Sequence, residues 1–484
     1  MKRRTVLWAI IIFYTGFALA SCSEGFFGKT EDLQKEAEDA DVLAGTVSIT
    51  SASNWCGGTL DAVVQTPGFS GEITYEWRIE DADEPVGSGS QYTIKPEDIG
   101  RNIDIRIARA DATGSITSSA FQISLYHPIF NEDDLRAVQD NLGYHYILVN
   151  DIDLQGEWVP ITPYNGVFEG NGKTISNLRI NGIDRQGLFG NIRNDGIVQN
   201  IILSNVNIDC HGSYIGALAG HNSGIVKNCS VQGTVRGGFS VGGLAGANNG
   251  IITGSTAIIH VYGIDGSGGL AGDNTHTIIQ CYVKGSVTSS NNEAGGVAGG
   301  NFNQIIGCFS DCDVSCQKFA AGGIAGFNSG PIKDCYATGD ILCLLEEAGG
   351  IAGYNRDSIN RCYFTGTVTS GSDYAGGIAG YSDESVENCV ALGKKITGGE
   401  YTGRIIGYND EGYVANNYAN ENMLINGTQD YSDDSDSIHG LDVSSGEYGK
   451  QGFWSDLGYD FSSAGMWVWD SILNLPVLMM ANEW

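Results

Sequence analysis

Gly322-Gly-Ile-Ala-Gly-Phe-Asn-Ser-Gly-Pro-Ile-Lys-Asp-Cys-Tyr-Ala-Thr-Gly339 decides the fold, because its opening five residues recur at a nearly fixed interval. Copies begin at Gly216, Gly242, Gly268, Gly295, Gly322, Gly349 and Gly376, 26 or 27 residues apart, and a degenerate eighth begins at Gly403. So regular a period indicates stacked units sharing one continuous core. Nine residues after the last glycine of each copy stands Cys229, Ser255, Cys281, Cys308, Cys335, Cys362 or Cys389. Three before that position stands Val226, Ile252, Ile278, Ile305, Ile332, Ile359 or Val386, and six after it Val235, Val261, Val287, Val314, Ile341 or Val368. β-Branched residues and glycines disfavour helix, and the several leucines per unit of a leucine-rich repeat are missing. Each unit therefore predicts one coil of a right-handed parallel β-helix, with coils stacked about 4.8 Å apart.

Other columns follow the same register. Two residues after the signature's last glycine come Asn222, Asn248, Asn274, Asn301, Asn328, Asn355 and Asn409, interrupted by Ser382. Asparagine tolerates the left-handed turn conformation, and its amide can bond to the same amide one coil away, so this column predicts a structural ladder at a turn. The residue after the cysteine position is Tyr282, Phe309, Tyr336 and Tyr363 in four successive coils, and a second aromatic column beside the Asn ladder holds Phe327, Tyr354, Tyr381 and Tyr408. If the cysteine faces inward, period-2 parity turns the next residue outward. Rows of outward rings offer flat faces for sugars or a protein, and they equally allow rings to stabilise one another. The cysteines predict buried thiols acting as small hydrophobes, since in-register stacking at about 4.8 Å exceeds the Cβ separation that a disulfide wants. Cys316 and Cys343, at the same coil position in consecutive units, are the pair to test for a disulfide.

These units resemble the GLUG repeat. The stretch before them, Tyr146-Ile-Leu-Val-Asn-Asp-Ile-Asp-Leu154 through Phe168-Glu-Gly-Asn-Gly-Lys-Thr-Ile175 and Gly187-Leu-Phe-Gly190, looks like the usual opening of such arrays. The resemblance covers residues 130–410 and implies the β-helix fold. It is less specific for function, because the repeat occurs in bacterial surface adhesins and beside peptidase domains. The peptidases' His-Glu-x-x-His zinc motif is absent, since none of the 7 histidines is followed by Glu.

The rest of the 484-residue chain places this array. With Lys plus Arg at 26 and Asp plus Glu at 57, the net charge of −31 argues against a nucleic-acid partner, which calls for a basic surface. Lys2, Arg3 and Arg4 precede an apolar run from Val6 to Leu19 that is too short to span a bilayer comfortably, so residues 1–21 predict a signal peptide. Its end, Leu19-Ala20-Ser21-Cys22, resembles the bacterial lipobox, which implies acylation of Cys22 and membrane attachment through that lipid alone. The acidic stretch 22–44 predicts a solvated tether. Acidic residues after an acylated cysteine resemble the surface-export signal of Bacteroidetes lipoproteins, although Ser23-Glu24-Gly25 is an imperfect match. Localisation is thus expected at the outer membrane, facing the cell surface, with a periplasmic-facing position as the alternative.

Residues 45–126 show short alternating runs such as Ile73-Thr-Tyr-Glu-Trp77 and Ile103-Asp-Ile-Arg-Ile107, which predict a small β-sandwich that resembles bacterial Ig-like domains. The chain as a whole reads as all-β. The β-helix is expected over 127–410 with an N-terminal cap helix, followed by C-terminal coils and a cap over 411–484, where Trp454, Trp467, Trp469 and Pro476-Val-Leu478 would cover the last coil's open edge. Asp430, Asp433, Asp434 and Asp436 lack the glycine and glutamate of an EF-hand loop, and no acidic column suggests a glycosidase pair, so no metal, cofactor or catalytic residue is predicted. The leading expectation is a lipid-anchored surface binding protein or adhesin for a glycan or a host or matrix protein. The alternative is a β-helix lyase or hydrolase acting on polysaccharide.

Overall fold

The β-branched columns face inward and make the core of a parallel β-solenoid of about 11 turns. The structure is a computed structural model that describes residues 41–429 and 437–479. The expectations at the signal peptide, at Cys22, over most of the tether and at Asp430, Asp433, Asp434 and Asp436 lie outside those residues.

One coil shows the pattern. From Gly322 the chain runs through strands Ala325–Asn328, Ile332–Lys333, Tyr336–Ala337, Ile341–Cys343 and Ala348–Gly349, after which the next coil begins. Corresponding strands pair in parallel from coil to coil, giving sheets of 17, 12, 9 and 8 strands among the described residues. Ile305, Ile332 and Ile359 are Cα partners, as are Val314, Ile341 and Val368, and all of them are buried.

Close backbone approach explains the Gly-Gly-x-Ala-Gly signature. A Cβ on Gly322 would lie 1.9 Å from the Ala325 carbonyl oxygen of its own coil. A Cβ on Gly323 would lie 2.2 Å from the Gly350 oxygen of the next. Only glycine permits both approaches, and the pattern repeats at Gly349 and Gly350, where the corresponding distances are 1.8 and 2.1 Å.

The asparagine ladder is present, with a corrected geometry. Asn222, Asn248, Asn274, Asn301, Asn328 and Asn355 are fully buried and end strands; none has positive φ. Each amide donates to the next rung at 2.7–2.8 Å as far as Asn328, and Asn355 then donates to the Ser382 hydroxyl at 3.0 Å. Asn409 leaves the ladder and donates to the Gly412 carbonyl at 2.8 Å. The left-handed turn column is another one, immediately before the cysteines: Asn228, Gly254, Gln280, Gly307, Asp334, Arg361 and Asn388, with φ between 51° and 60°. Burial decides between the two positions, because an inward amide needs partners, and the stacked rungs and nearby backbone carbonyls supply them.

The helix Glu132–Ala137 lies at the start of the solenoid. The Asn131 side chain caps it by accepting the Asp134 N–H at 3.0 Å, and Leu135 enters the solenoid core. At the other end residues 437–443 close part of the last coil. The N–H groups of Ile405 and Ile406 both donate to the Ile438 carbonyl, at 2.9 and 3.1 Å, and buried Arg404 pairs with Asp442 and donates to the Gly440 carbonyl at 2.7 Å.

The tryptophan-rich segment does not cap that edge. It lies along the outside of the 17-stranded sheet, where Trp454, Tyr459, Trp467 and Leu478 form a second apolar cluster with Tyr336, Tyr363 and Val390. The Trp467 indole donates to Asp334 at 3.2 Å, and the Tyr363 hydroxyl donates to the Pro476 carbonyl at 2.6 Å.

The chain divides between Tyr126 and His127 into two compact units. The first holds two small antiparallel sheets, one pairing Thr46–Ser51, Thr59–Gln65 and Gln91–Thr93, the other built on Ile73–Ile79 against Asn102–Arg109. Trp77, Leu60, Ile103, Ile105 and Ile107 fill the core between them, and the Trp77 indole donates to the Gly89 carbonyl at 2.9 Å.

Candidate functional site

The two aromatic columns differ in what covers them. Tyr282, Phe309, Tyr336 and Tyr363 point outward from their coils and stack with ring centroids 5.0, 4.0 and 4.7 Å apart. Tyr336 and Tyr363, only 3% and 1% exposed, lie beneath the tryptophan segment. Ligand binding at these two rings is therefore corrected to a core role. Parity put them outside the coil, and 27 to 140 residues further along the chain Val390, Trp454, Trp467 and Pro476 cover them. Phe309 is half-buried and packs against the same cluster; Tyr282, at the column's free end, is half-buried.

Phe327, Tyr354, Tyr381 and Tyr408 are direct register partners on the 9-stranded sheet, with centroids 5.5, 4.8 and 5.4 Å apart. All four remain partly exposed, and none lies under the tryptophan segment's cluster. A neighbouring column, two residues before each signature, supplies Tyr374 and Tyr401, which stack at 5.1 Å and meet Tyr381 and Tyr408 edge-on at 5.6 and 5.0 Å. Phe302 and Phe319 extend the patch toward Phe327 and Tyr354, each at 5.8 Å. Hydroxyl partners one coil on hold the rings in place: Tyr354 donates to Asp383 at 3.3 Å and Tyr381 to Asp410 at 3.0 Å. The result is a continuous aromatic strip edged by carboxylates.

Tyr374, Tyr401, Phe302 and Phe319 were not singled out in the sequence. The column of Tyr374 and Tyr401 begins Tyr214, Ser240, Gly266, Glu293 and so shows no single residue type, and Phe302 and Phe319 belong to other positions of the repeat. Only the fold reveals that this column runs beside the Phe327 column.

Toward the N-terminus the same pair of columns becomes acidic. Ser240 donates to Asp273 at 2.5 Å, while Asn291 and Asn292 donate to Asp265 at 3.2 and 3.1 Å. Burial, reinforced by the charges of Asp265 and Asp273, pushes the Glu293 carboxyl up to about 7. Burial also raises Asp273, against the Ser240 hydrogen bond. Between the acidic and aromatic stretches sits Glu347, 4% exposed with one oxygen unpartnered, which burial pushes up to about 7. Among the described residues no group of three or more His, Cys, Asp or Glu side chains is placed to hold a metal ion. A hollow of about 150 Å³ lined by Arg136, Gln139, Trp158, Val159 and Ile161 lies at the N-terminal end, remote in sequence from both columns.

Residues 211–236 match the GLUG motif. Halomucin of Haloquadratum walsbyi is 41% identical over 80 residues, which is 16% of this chain and 1% of that protein. A protein named "Putative Gly-rich membrane protein" from Evansella cellulosilytica is 38% identical over 105 residues, 19% of this chain and 12% of that protein. The chain thus spans a small part of the curated relatives it matches. The crystal structure of a "putative immunoglobulin A1 protease" from Bacteroides ovatus is similar at 19% identity and a TM-score of 0.36, over 73% of this chain and 92% of that one. No helix among the described residues is long and apolar enough to cross a membrane.

Proposed function

We propose that the chain is a lipid-anchored binding protein of the bacterial cell envelope, attached to the outer membrane through acylated Cys22 and facing the cell surface. Its solenoid binds a glycan or a host or matrix protein along the strip Phe327, Tyr354, Tyr381 and Tyr408, flanked by Tyr374 and Tyr401. The single observation that carries this reading is the partly exposed, regularly spaced strip. The rings lie against one another at about 5 Å intervals, so the strip presents a row of apolar edges to a ligand, and the edging carboxylates offer acceptors for its hydroxyl or amide groups. The names of the two relatives, a halomucin and a membrane protein, support an envelope location. The Ig-like reading of residues 45–126 is consistent with a surface protein.

The test is an array of glycans and matrix proteins probed with the wild-type protein and with a Tyr354→Ala, Tyr381→Ala, Tyr408→Ala variant. Each ring contributes on the order of 1 kcal/mol, so the variant should bind tenfold or more weakly at an unchanged melting temperature. Equal binding by both proteins would refute the strip's role.

The acidic stretch favours a second reading, a polysaccharide lyase or hydrolase. Glu293 holds its proton to about pH 7 beside Asp265 and Asp273, as a general acid must. Depolymerisation of an array polysaccharide that is lost in Glu293→Gln would establish that reading over simple binding.

A further inference from the structure

We propose that Cys316 and Cys343 are a disulfide-forming pair that bolts two adjacent coils together when the folded protein meets a disulfide oxidant. Cys316 ends strand Phe309–Cys316, Cys343 ends strand Ile341–Cys343, and the two are Cα partners in parallel register. Coil spacing of about 4.8 Å lies within the Cα range of disulfides, so the backbone does not have to move far. Both residues carry free thiols, and their sulfurs lie 2.8 Å apart.

The central column differs. Cys308, Cys335, Cys362 and Cys389 are also stacked and interact side chain to side chain, yet each thiol there donates to the carbonyl two residues earlier, at 3.4, 3.2, 3.5 and 3.2 Å. The Cys316 thiol instead donates to the Cys343 sulfur at 2.8 Å. The Cys316 hydrogen bond, aided by the backbone amides of Leu345 and Glu346, lowers the Cys343 thiol and makes it the better nucleophile. Both cysteines are buried, but the chain leaving Cys343 is a surface loop whose Leu344 and Leu345 are about half exposed, so a local opening reaches the pair.

The chemistry balances with a small-molecule disulfide, RSSR, as oxidant. The Cys343 thiolate attacks one sulfur of RSSR and expels RS⁻. Cys316 then loses its proton and attacks the Cys343 sulfur, expelling the second RS⁻. Two protein thiols are oxidised to the disulfide, RSSR is reduced, and the two protons the protein thiols lose end on the two RSH. The link closes a 27-residue loop between neighbouring coils. Its occurrence in the cell rests on the proposed export to an oxidising compartment, while its formation in solution does not.

The test uses the full-length reduced protein, incubated with oxidised glutathione, then unfolded and alkylated with N-ethylmaleimide. Two fewer thiols should be alkylated than in the reduced control, and a tryptic digest should link peptides 285–318 and 334–356. These peptides also contain Cys308, Cys312 and Cys335, so tandem sequencing locates the bond. Cys316→Ser and Cys343→Ser should abolish it, and Cys335→Ser should keep it. Oxidation should raise the wild-type melting temperature by several degrees and leave that of Cys343→Ser unchanged. Full alkylation after oxidation, glutathione adducts without the link, or a bond located at any other cysteine pair would overturn the proposal.

Discussion

Asn301 shows how a single residue serves this fold. It accepts from Asn274 at 2.8 Å and donates to Asn328 at 2.7 Å and to the Gly330 carbonyl at 3.2 Å, all away from water. Asn301→Ala removes the acceptor of the Asn274 amide and the donor of two acceptors, the Asn328 side chain and the Gly330 carbonyl, which should destabilise the protein by about 2–4 kcal/mol, read as a lower urea midpoint. Glu347 acts through protonation. Its folded carboxyl titrates at about 7 against an ordinary 4.5, so between those values the folded state binds more protons than the unfolded state. Stability is therefore greatest below about pH 4.5 and falls as pH rises toward 7, by about 3 kcal/mol from this group. Glu347→Gln should flatten the fall in melting temperature between pH 5 and pH 8; an equal fall in both proteins would exclude this assignment.

At the level of elements, the glycine signature sets how closely coils approach, and the tryptophan segment covers part of the outer face of the 17-stranded sheet. A Cβ on Gly323 meets the Gly350 carbonyl, so Gly323→Ala should push two coils apart and speed amide exchange in residues 320–355 ahead of the remaining coils. Trp467→Ala should cost about 3–5 kcal/mol, because it empties the site over Tyr336 and Tyr363 and removes the bond to Asp334. The coil period, the inward columns and the cysteines' burial were legible in the sequence because stacking repeats one environment every 26 or 27 residues. The segment over Tyr336 and Tyr363 was not legible. Its contacts join Tyr363 to Pro476 and Asp334 to Trp467, long-range pairings that no period encodes. The asparagines were recognised as a ladder and misplaced in conformation, because asparagine suits both a left-handed turn and a buried amide stack.

For the whole molecule, the proposed anchoring and the proposed recognition are separately testable. Cys22→Ala should move the protein from the detergent phase to the aqueous phase on phase partition, and an unchanged distribution would contradict lipid attachment. The proposed recognition depends on which aromatic column the folded chain leaves open, and residue-resolved hydroxyl-radical footprinting of the full-length protein measures this directly. Tyr354, Tyr374, Tyr381, Tyr401 and Tyr408 should be oxidised readily. Tyr336 and Tyr363 should stay protected in the wild type and become reactive in Trp467→Ala. Comparable oxidation of both columns in the wild-type protein, or protection of Tyr354 and Tyr381, would contradict the assignment of one column to the core and the other to the binding surface.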